Sequence, residues 1–223
     1  MKILIIGFAS AVLLTACGGD KNSATSTTTD STAMTDNTTV AGTTDTMNNM
    51  NMSGSNMSIM GIMDKSMQDM KAMKSSGNPD NDFAGMMKMH HMSAIEAAQV
   101  ELSKGTDATI KTMAQKMLDD QQREVADFNT FISGHDAHGG GDGFHKDAMA
   151  LMSKMNMPMD NGASIDKQFV TMMIPHHQGA IDMSKAYIKS GAHEVKMKAM
   201  ANNIIVSQQK EIKELQAWLD KNK

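Results

Sequence analysis

Two pairs of adjacent histidines stand out in the sequence, and each pair follows two adjacent methionines by one helical turn. The second methionine and the two histidines have i, i+3, i+4 spacing, which places their side chains on one face of a helix. Neutral imidazole is a common metal ligand, and mixed thioether and imidazole donors favour copper or silver over zinc and calcium. The candidate ligands are Met86, Met87, His90 and His91 in the first set and Met172, Met173, His176, His177 and Met183 in the second.

These two sets belong to an internal duplication of the chain. Residues 83–91 align with residues 169–177 at a constant offset of 86, and Gly105 falls on Gly191. After this glycine the offset becomes 87 for the rest of the repeat. Because a turn tolerates a one-residue insertion, the pattern predicts two copies of a helical hairpin.

Heptad spacing runs through both copies and indicates how the hairpins pack. Apolar residues and histidines recur at steps of four and three, which is typical of a helix seam buried in a bundle. Two hairpins of this kind predict an all-α fold, a four-helix bundle built from two duplicated helical hairpins. The clearest seam consists of Phe169, Met173, His176, Ala180, Met183 and Tyr187.

Four polar residues occupy seam positions where leucine would be expected: Gln121, Glu124, Gln208 and Glu211. A buried polar group is costly unless it has a partner. At a rise of about 1.5 Å per residue, each histidine pair is level with the Gln/Glu turn of its own hairpin. Glu124 and Glu211 are therefore predicted to orient the imidazoles or to bind metal directly. The alternative is a purely structural layer in which glutamates hold the histidines.

The composition excludes several other classes of protein. The 223 residues include 27 methionines but one cysteine, so neither a disulfide framework nor a thiolate-rich zinc site can form. A net charge of −4 argues against a nucleic-acid partner. The sequence has no Gly-x-Ser-x-Gly elbow and no Glu-x-x-His di-iron motif. A binding protein is expected rather than an enzyme, with a copper or di-iron oxidase as the less favoured alternative.

The N-terminal region has the features of a secretory signal. A basic residue precedes a short apolar run, and the Leu-Thr-Ala-Cys sequence that ends at Cys17 resembles the bacterial lipoprotein box. This resemblance implies a signal peptide over residues 1–16 and a lipidated Cys17, which would contact the membrane through its lipid alone. Gly18 then implies the periplasmic face of the outer membrane. The polar residues 17–56 are predicted to form a disordered tether.

Two further stretches are rich in methionine. Six methionines between Met57 and Met73 recur every three or four residues, which predicts an amphipathic helix over 57–79 whose thioethers either pack or bind Cu(I) or Ag(I). The insert at 133–165 begins with a His- and Gly-rich loop, which either captures Cu(II) or is ordinary surface, and continues with a shorter methionine ladder. The predicted bundle at 80–223 consists of repeat 1 at 80–132, this insert, and repeat 2 at 166–221.

The second repeat resembles a known family. Residues 173–183, followed by the Gln-Gln-Lys-Glu sequence at 208–211, are similar to the family called domain of unknown function 305, and the resemblance covers about residues 80–223. It implies a ferritin-like fold and copper or silver binding outside the cytoplasm in bacterial metal resistance. It also implies metal binding at Met173, His176, His177 and Met183, and by repeat matching at Met87, His90 and His91.

The first repeat departs from this pattern at two positions. Lys88 stands where the second repeat has Ile174, and Ala97 stands where it has Met183, so weaker metal binding is expected there. The expected function is that of a lipid-anchored copper buffer or chaperone that exchanges Cu(I), Cu(II) or Ag(I) with a copper-transport partner protein. The competing interpretation is a lipoprotein whose methionine-rich faces bind another protein.

Overall fold

A computed structural model describes residues 57–155, 157–158 and 162–222, all within one compact unit at 48–223. The expected signal peptide, the lipidation site Cys17 and the tether lie outside the described residues. The described residues form helices and no strands, which confirms the all-α prediction. None of these helices is long and apolar enough to cross a bilayer. The helices are α1 (Ile59–Ala72), α2 (Pro79–Lys104), α3 (Ala108–Gly134), α4 (Gly143–Met152), α5 (Ile165–Lys189) and α6 (Val195–Lys221).

The segment 57–79 is not one continuous helix, because α1 ends at Ala72 and Pro79 already opens α2. The fixed φ of proline suits the first turn of a helix, and the side chain of Asn78 caps it by accepting from Asp80 N and Asn81 N. The buried carboxylate of Asp82 accepts hydrogen bonds from the Ser75 hydroxyl and the Ser76 N–H in the loop that separates the two helices. These polar interactions stabilise the turn that interrupts the helix between α1 and α2.

Helices α2 and α5 form the centre of the molecule. Each pairs with the next helix of its own hairpin, α2 with α3 and α5 with α6, and the two hairpins meet through α2 and α5. Helices α1 and α4 both pack against this central pair. Helices α3 and α6 are linked across a groove by ion pairs, from Lys116 to Glu211 at 3.5 Å and from Lys196 to Asp127 at 3.2 Å. Helices α2 and α5 are therefore covered by other helices on more than one side.

The duplication is visible as a repeated contact between the hairpins. Asp80 and Asp166, which are 86 residues apart, lie in the first turns of α2 and α5, and each caps the turn of the other hairpin. Asp166 accepts from the backbone N–H groups of Thr106 and Asp107, both at 2.8 Å, and Asp80 accepts from Glu194 N at 3.2 Å. Each aspartate thereby ties the start of one central helix to the far end of the other.

Each of these aspartates has a partner side chain at the equivalent position of the opposite repeat, but the two partners differ in chemistry. Tyr187 donates its hydroxyl hydrogen to Asp80, and the residue 86 positions earlier, Glu101, lies beside Asp166. Burial and the neighbouring Asp166 carboxylate raise the pKa of Glu101 to about 8. Glu101 is therefore mostly protonated at neutral pH and provides a donor where the other repeat uses a phenol.

The two hairpin turns need glycine for different reasons. Gly191 has a φ of +76°, a conformation that L side chains rarely adopt. Gly105 has an ordinary φ of −67°, but a Cβ there would lie 2.6 Å from the carbonyl oxygen of Glu101 and closer still to its carboxylate. The glycine match between the repeats thus reflects backbone conformation in one hairpin and close packing in the other.

The apolar core is divided into two clusters, and both repeats contribute to each. We call them the Phe83 cluster and the Phe169 cluster. In the first, Phe83 stacks on Tyr187 with ring centroids 4.2 Å apart. The Phe83 cluster includes Phe83, Met86, Met87, Phe128, Met183, Tyr187 and Ile204. The Phe169 cluster includes Ile62, Ala94, Ala97, Ile110, Met117, Phe169, Met172, Met173 and Leu215.

The six regularly spaced methionines of α1 and its flanks pack onto these clusters. Met63 and Met70 are buried, and the other four are partly buried. Met57, Met60 and Met63 pack in the Phe169 cluster, and Met67, Met70 and Met73 pack in the Phe83 cluster. Of the two roles open to this stripe, packing is the one that the structure shows.

Candidate metal centre

A layer of polar side chains separates the two apolar clusters halfway along the bundle. Each of the four bundle helices contributes two residues, and all eight side chains are buried except that of Glu124, which is 26% exposed. We call this set the polar layer. It consists of His90 and His91 from α2, Gln121 and Glu124 from α3, His176 and His177 from α5, and Gln208 and Glu211 from α6.

The helix pairing decides which histidines face each other. Adjacent residues on a helix point about 100° apart, so each His-His pair serves two neighbouring faces. His90 and His176 meet across the α2–α5 contact, with ring centroids 3.6 Å apart and an interplanar angle of 30°. His91 and His177 instead face the second helices of their own hairpins. The layer therefore has a central pair of histidines in close, tilted contact and two outer histidines.

Each outer histidine contacts the glutamate of its own hairpin. His91 Nε2 lies 2.7 Å from Glu124 Oε2, and His177 Nε2 lies 3.1 Å from Glu211 Oε2. Burial by itself would raise the pKa of Glu211, but His177 and Lys116 hold it below its ordinary value. Glu211 is therefore a carboxylate at neutral pH. The structure brings together the histidines and glutamates that the register predicted to be level.

Hydrogen bonds assign the protonated nitrogen of two imidazoles. A carboxylate only accepts hydrogen bonds, so His91, which bonds to Glu124, carries its hydrogen on Nε2. Ser93 donates its hydroxyl hydrogen to the carbonyl oxygen of His90 at 2.7 Å, and its oxygen lies 3.0 Å from His176 Nε2. Since that hydroxyl has no second hydrogen, His176 Nε2 must be the donor. In both rings the lone pair lies on Nδ1.

Many polar atoms of the layer have no hydrogen-bond partner in the part of the chain that the structure describes. Nδ1 of all four histidines is buried and unbonded, and so are Nε2 of His90 and of His177 and both polar atoms of Gln121. An unsatisfied buried polar group costs about 1–3 kcal/mol. A concentration of buried nitrogen and oxygen atoms without partners is typical of a site that binds an additional ligand.

Burial keeps the central imidazoles neutral. It lowers the pKa of His90 and of His176 well below the ordinary 6.5, and charge repulsion from neighbouring histidines lowers both further. A metal ion binds the neutral ring and competes with the proton for its lone pair. The central pair is therefore in the protonation state that metal binding requires at neutral pH.

The methionines predicted as ligands are all buried, and they are divided between the two apolar clusters that flank the layer. Met172 and Met173 pack in the Phe169 cluster, whereas Met183 packs in the Phe83 cluster with Met86 and Met87. Met173 and Met183 therefore lie on opposite sides of the polar layer. Thioethers are available on both sides, and the ones near Met183 belong to both repeats.

The outer side of the layer opens to a groove between α3 and α6. This cavity of about 390 Å³ is lined by Gln121, Glu124, Gln208 and Glu211 of the layer and by four residues nearer its mouth. The mouth residues include Asp120, Asp127 and Arg123. The four carboxylates of the groove are largely balanced by Arg123 and by Lys116 and Lys196, which pair with Glu211 and Asp127.

The donor set fits a soft monovalent ion better than a hard or borderline one. Among the described residues, no three His or carboxylate side chains already converge in a metal-binding arrangement. Imidazole nitrogens and buried thioethers, in contrast, surround the same layer, and these are the ligands that Cu(I) and Ag(I) prefer. Two histidines of the insert, His135 and His138, do not join them. His138 is an exposed loop residue, and His135 bonds to Asn81 Oδ1 at 2.6 Å.

Sequence reasoning missed two residues beside the central histidines. Ser93 bonds to His176, and Met155 packs over Gly179 next to His90. Ser93 and Gly179 are 86 residues apart, so comparison of the repeats at this position would have identified an asymmetry beside the histidines. Met155 lies outside both repeats and gives no such signal.

Comparison with known proteins provides relatives for this architecture. A family model described as Domain of unknown function (DUF305) matches residues 13–132 and 133–219. The uncharacterized protein L153 of Acanthamoeba polyphaga mimivirus is 47% identical over 58 residues, which are 26% of this chain and 38% of that protein. This match thus spans well under half of the relative's length.

Solved structures of a protein called CopM are similar over most of their length. The Cu(II)-bound form matches with a TM-score of 0.51 and 28% identity, covering 65% of this chain and 97% of CopM. The Cu(I)-bound form matches with a TM-score of 0.50 and 27% identity, covering 64% and 96%. The family resemblance seen in the sequence is confirmed by the family model, and the chain belongs to the DUF305 family.

Proposed function

We propose that this protein binds Cu(I) and Ag(I) outside the cytoplasm, as a copper buffer or chaperone in metal resistance rather than as an enzyme. The observation that carries the proposal is the buried polar layer, with unbonded imidazole nitrogens between two clusters rich in thioethers. The structures of CopM in Cu(I)-bound, Cu(II)-bound and Ag-bound forms support the same class of ligand.

The donor inventory explains why a soft monovalent ion is favoured. Met86, Met87, Met172, Met173 and Met183 are all nearly or fully buried, in the two clusters that flank the layer. A thioether needs no deprotonation, so it holds Cu(I) over a wide pH range, whereas imidazole loses metal as it is protonated. A site with both donors retains part of its metal in acid and binds most tightly at neutral pH.

The glutamates act in this proposal mainly by orienting the outer histidines. A carboxylate that accepts from Nε2–H fixes the ring and increases the basicity of Nδ1, as partners of metal-binding histidines commonly do. Glu124 and Glu211 line the groove between α3 and α6, so they also lie on the path by which an ion reaches the layer.

The mature protein is expected to bind several Cu(I) or Ag(I) ions per chain through both sulfur and nitrogen. Equilibrium dialysis with metal analysis measures the number of ions, and X-ray absorption on the Cu(I)-loaded protein counts sulfur against nitrogen neighbours. No more than one weakly held ion, or a spectrum with oxygen neighbours alone, would contradict the proposal. Dioxygen consumption with Cu(I) as substrate would instead indicate an oxidase.

The proposed location is the periplasmic face of the outer membrane, with a lipid on Cys17 as the anchor and a copper-transport protein as exchange partner. The Leu-Thr-Ala-Cys sequence before a polar stretch supports the anchor. Intact-mass measurement of the mature chain is expected to show cleavage before Cys17 and the added mass of a lipid on that residue. An unmodified chain, or one that retains residues 1–16, would refute this anchor.

A further inference from the structure

The central histidines are related by the duplication, but their surroundings are not. His176 Nε2 bonds to the hydroxyl of Ser93 at 3.0 Å. The residue equivalent to Ser93 in the second repeat is Gly179, which has no side chain to offer His90. Within the described residues, neither ring nitrogen of the fully buried His90 has a hydrogen bond.

The space left open by Gly179 is filled by a thioether. A Cβ built on Gly179 would lie 2.7 Å from Met155 Sδ and 3.6 Å from His90 Nε2, so both atoms border the same small volume. Met155 is partly buried against the Phe83 cluster and follows α4. Its backbone N–H bonds to Met152 O at 3.1 Å, which holds the start of this segment against the helix end.

This arrangement has the chemistry of a soft-metal site rather than of simple packing. A thioether is too weak an acceptor to satisfy an imidazole N–H well, so Met155 does not replace the hydroxyl that Ser93 provides to His176. Sulfur and imidazole nitrogen together are donors that Cu(I) and Ag(I) prefer. A neutral His90 can place its hydrogen on Nδ1 and direct the Nε2 lone pair toward the sulfur side.

We propose that His90 Nε2 and Met155 Sδ are donors of one Cu(I) or Ag(I) site beside Gly179, in which the insert between the repeats supplies the sulfur. This inference rests on the proposed function and adds a ligand from outside the duplicated motif. It also gives the first repeat a thioether donor on the side where Gly179 replaces serine.

The test compares Met155→Leu with Met149→Leu by titration with Ag(I) and, under reducing conditions, with Cu(I) against a chelator. Leucine keeps the apolar volume and removes the sulfur. Met149 is a matched control because it too is partly buried against the Phe83 cluster. Met155→Leu is expected to weaken one site by about 10- to 100-fold, at least as much as loss of an outer-shell partner costs, while Met149→Leu binds like the wild type.

Methyl NMR on the mature wild-type chain gives a readout that does not depend on affinity. The signal missing from the Met155→Leu spectrum identifies the Met155 methyl group, which is expected to shift at the same Ag(I) equivalent as the His90 ring protons. If other methionine methyls shift and Met155 does not, this inference fails while the proposed function stands. If no methionine or histidine signal responds to Ag(I), both are overturned.

Discussion

Replacing His176 and His177 together by alanine is expected to abolish the tightest Cu(I) site and to leave weaker binding by the methionines. The double variant removes one ring of the central pair and one outer ring whose Nδ1 has no other partner. Loss of two direct ligands should weaken this site by more than the roughly 10- to 100-fold that an outer-shell change costs. Competition against a Cu(I) chelator measures the affinity and the number of remaining sites.

Two controls separate the loss of ligands from the loss of structure. His138→Ala removes an imidazole that is 87% exposed in the insert, and it should leave the tight site unchanged. His176→Gln with His177→Gln keeps polar side chains in the layer, so helicity and unfolding temperature should change less than with alanine while tight binding is still lost. Unchanged high-affinity binding in either double variant would mean that the layer is purely structural.

The metal-free protein is expected to lose stability steeply as the pH falls below 6.5. His90 and His176 have folded-state pKa values well below 6.5, mainly because of burial. Between the folded and unfolded pKa values, the unfolded chain binds these protons and the folded one does not. The free energy of unfolding therefore falls with decreasing pH, by up to about 1.4 kcal/mol per pH unit for each group.

Urea unfolding of the wild type and of a His90→Gln, His176→Gln variant at pH 7.5, 6.0 and 5.0 measures this dependence. Glu101 has the opposite pH dependence, because its pKa of about 8 lies above the ordinary 4.5. The stability that Glu101 contributes therefore declines as the pH rises between those two values. That contribution is common to both proteins and cancels in the difference. The wild type should lose up to about 3 kcal/mol more than the variant between pH 6.5 and 5.0. Parallel curves would contradict the neutral central pair.

The sequence was sufficient to predict the helical hairpins and the level of the polar layer. The offset of 86 fixed which residues of the two repeats correspond, and the rise of a helix placed Glu124 and Glu211 level with the histidines. The contacts of His91 and His177 with these glutamates follow from that register. Periodicity along a helix is a local property, so it can be read from one chain.

The pairing of α2 with α5 could not be obtained in this way, because it depends on contacts between distant segments. Met173 and Met183 share a face of α5, but ten residues separate them by about 15 Å along the axis, so they lie beyond opposite sides of the histidines. The position of Met155 beside Gly179 depends on the path by which the insert returns to the bundle. The spacing of the methionines in the insert does not predict that path.

The divided core has a consequence for how such a protein could arise. Phe83 and Tyr187 stack in one cluster, and Ala94 and Phe169 share the other, so each half of the core is completed by the opposite repeat. A chain with a single repeat would bury these surfaces only by forming a two-fold symmetric dimer, with two copies of one histidine in contact on the axis. Gene fusion would then free the two halves from being identical, which permits Ser93 on one side and Gly179 on the other.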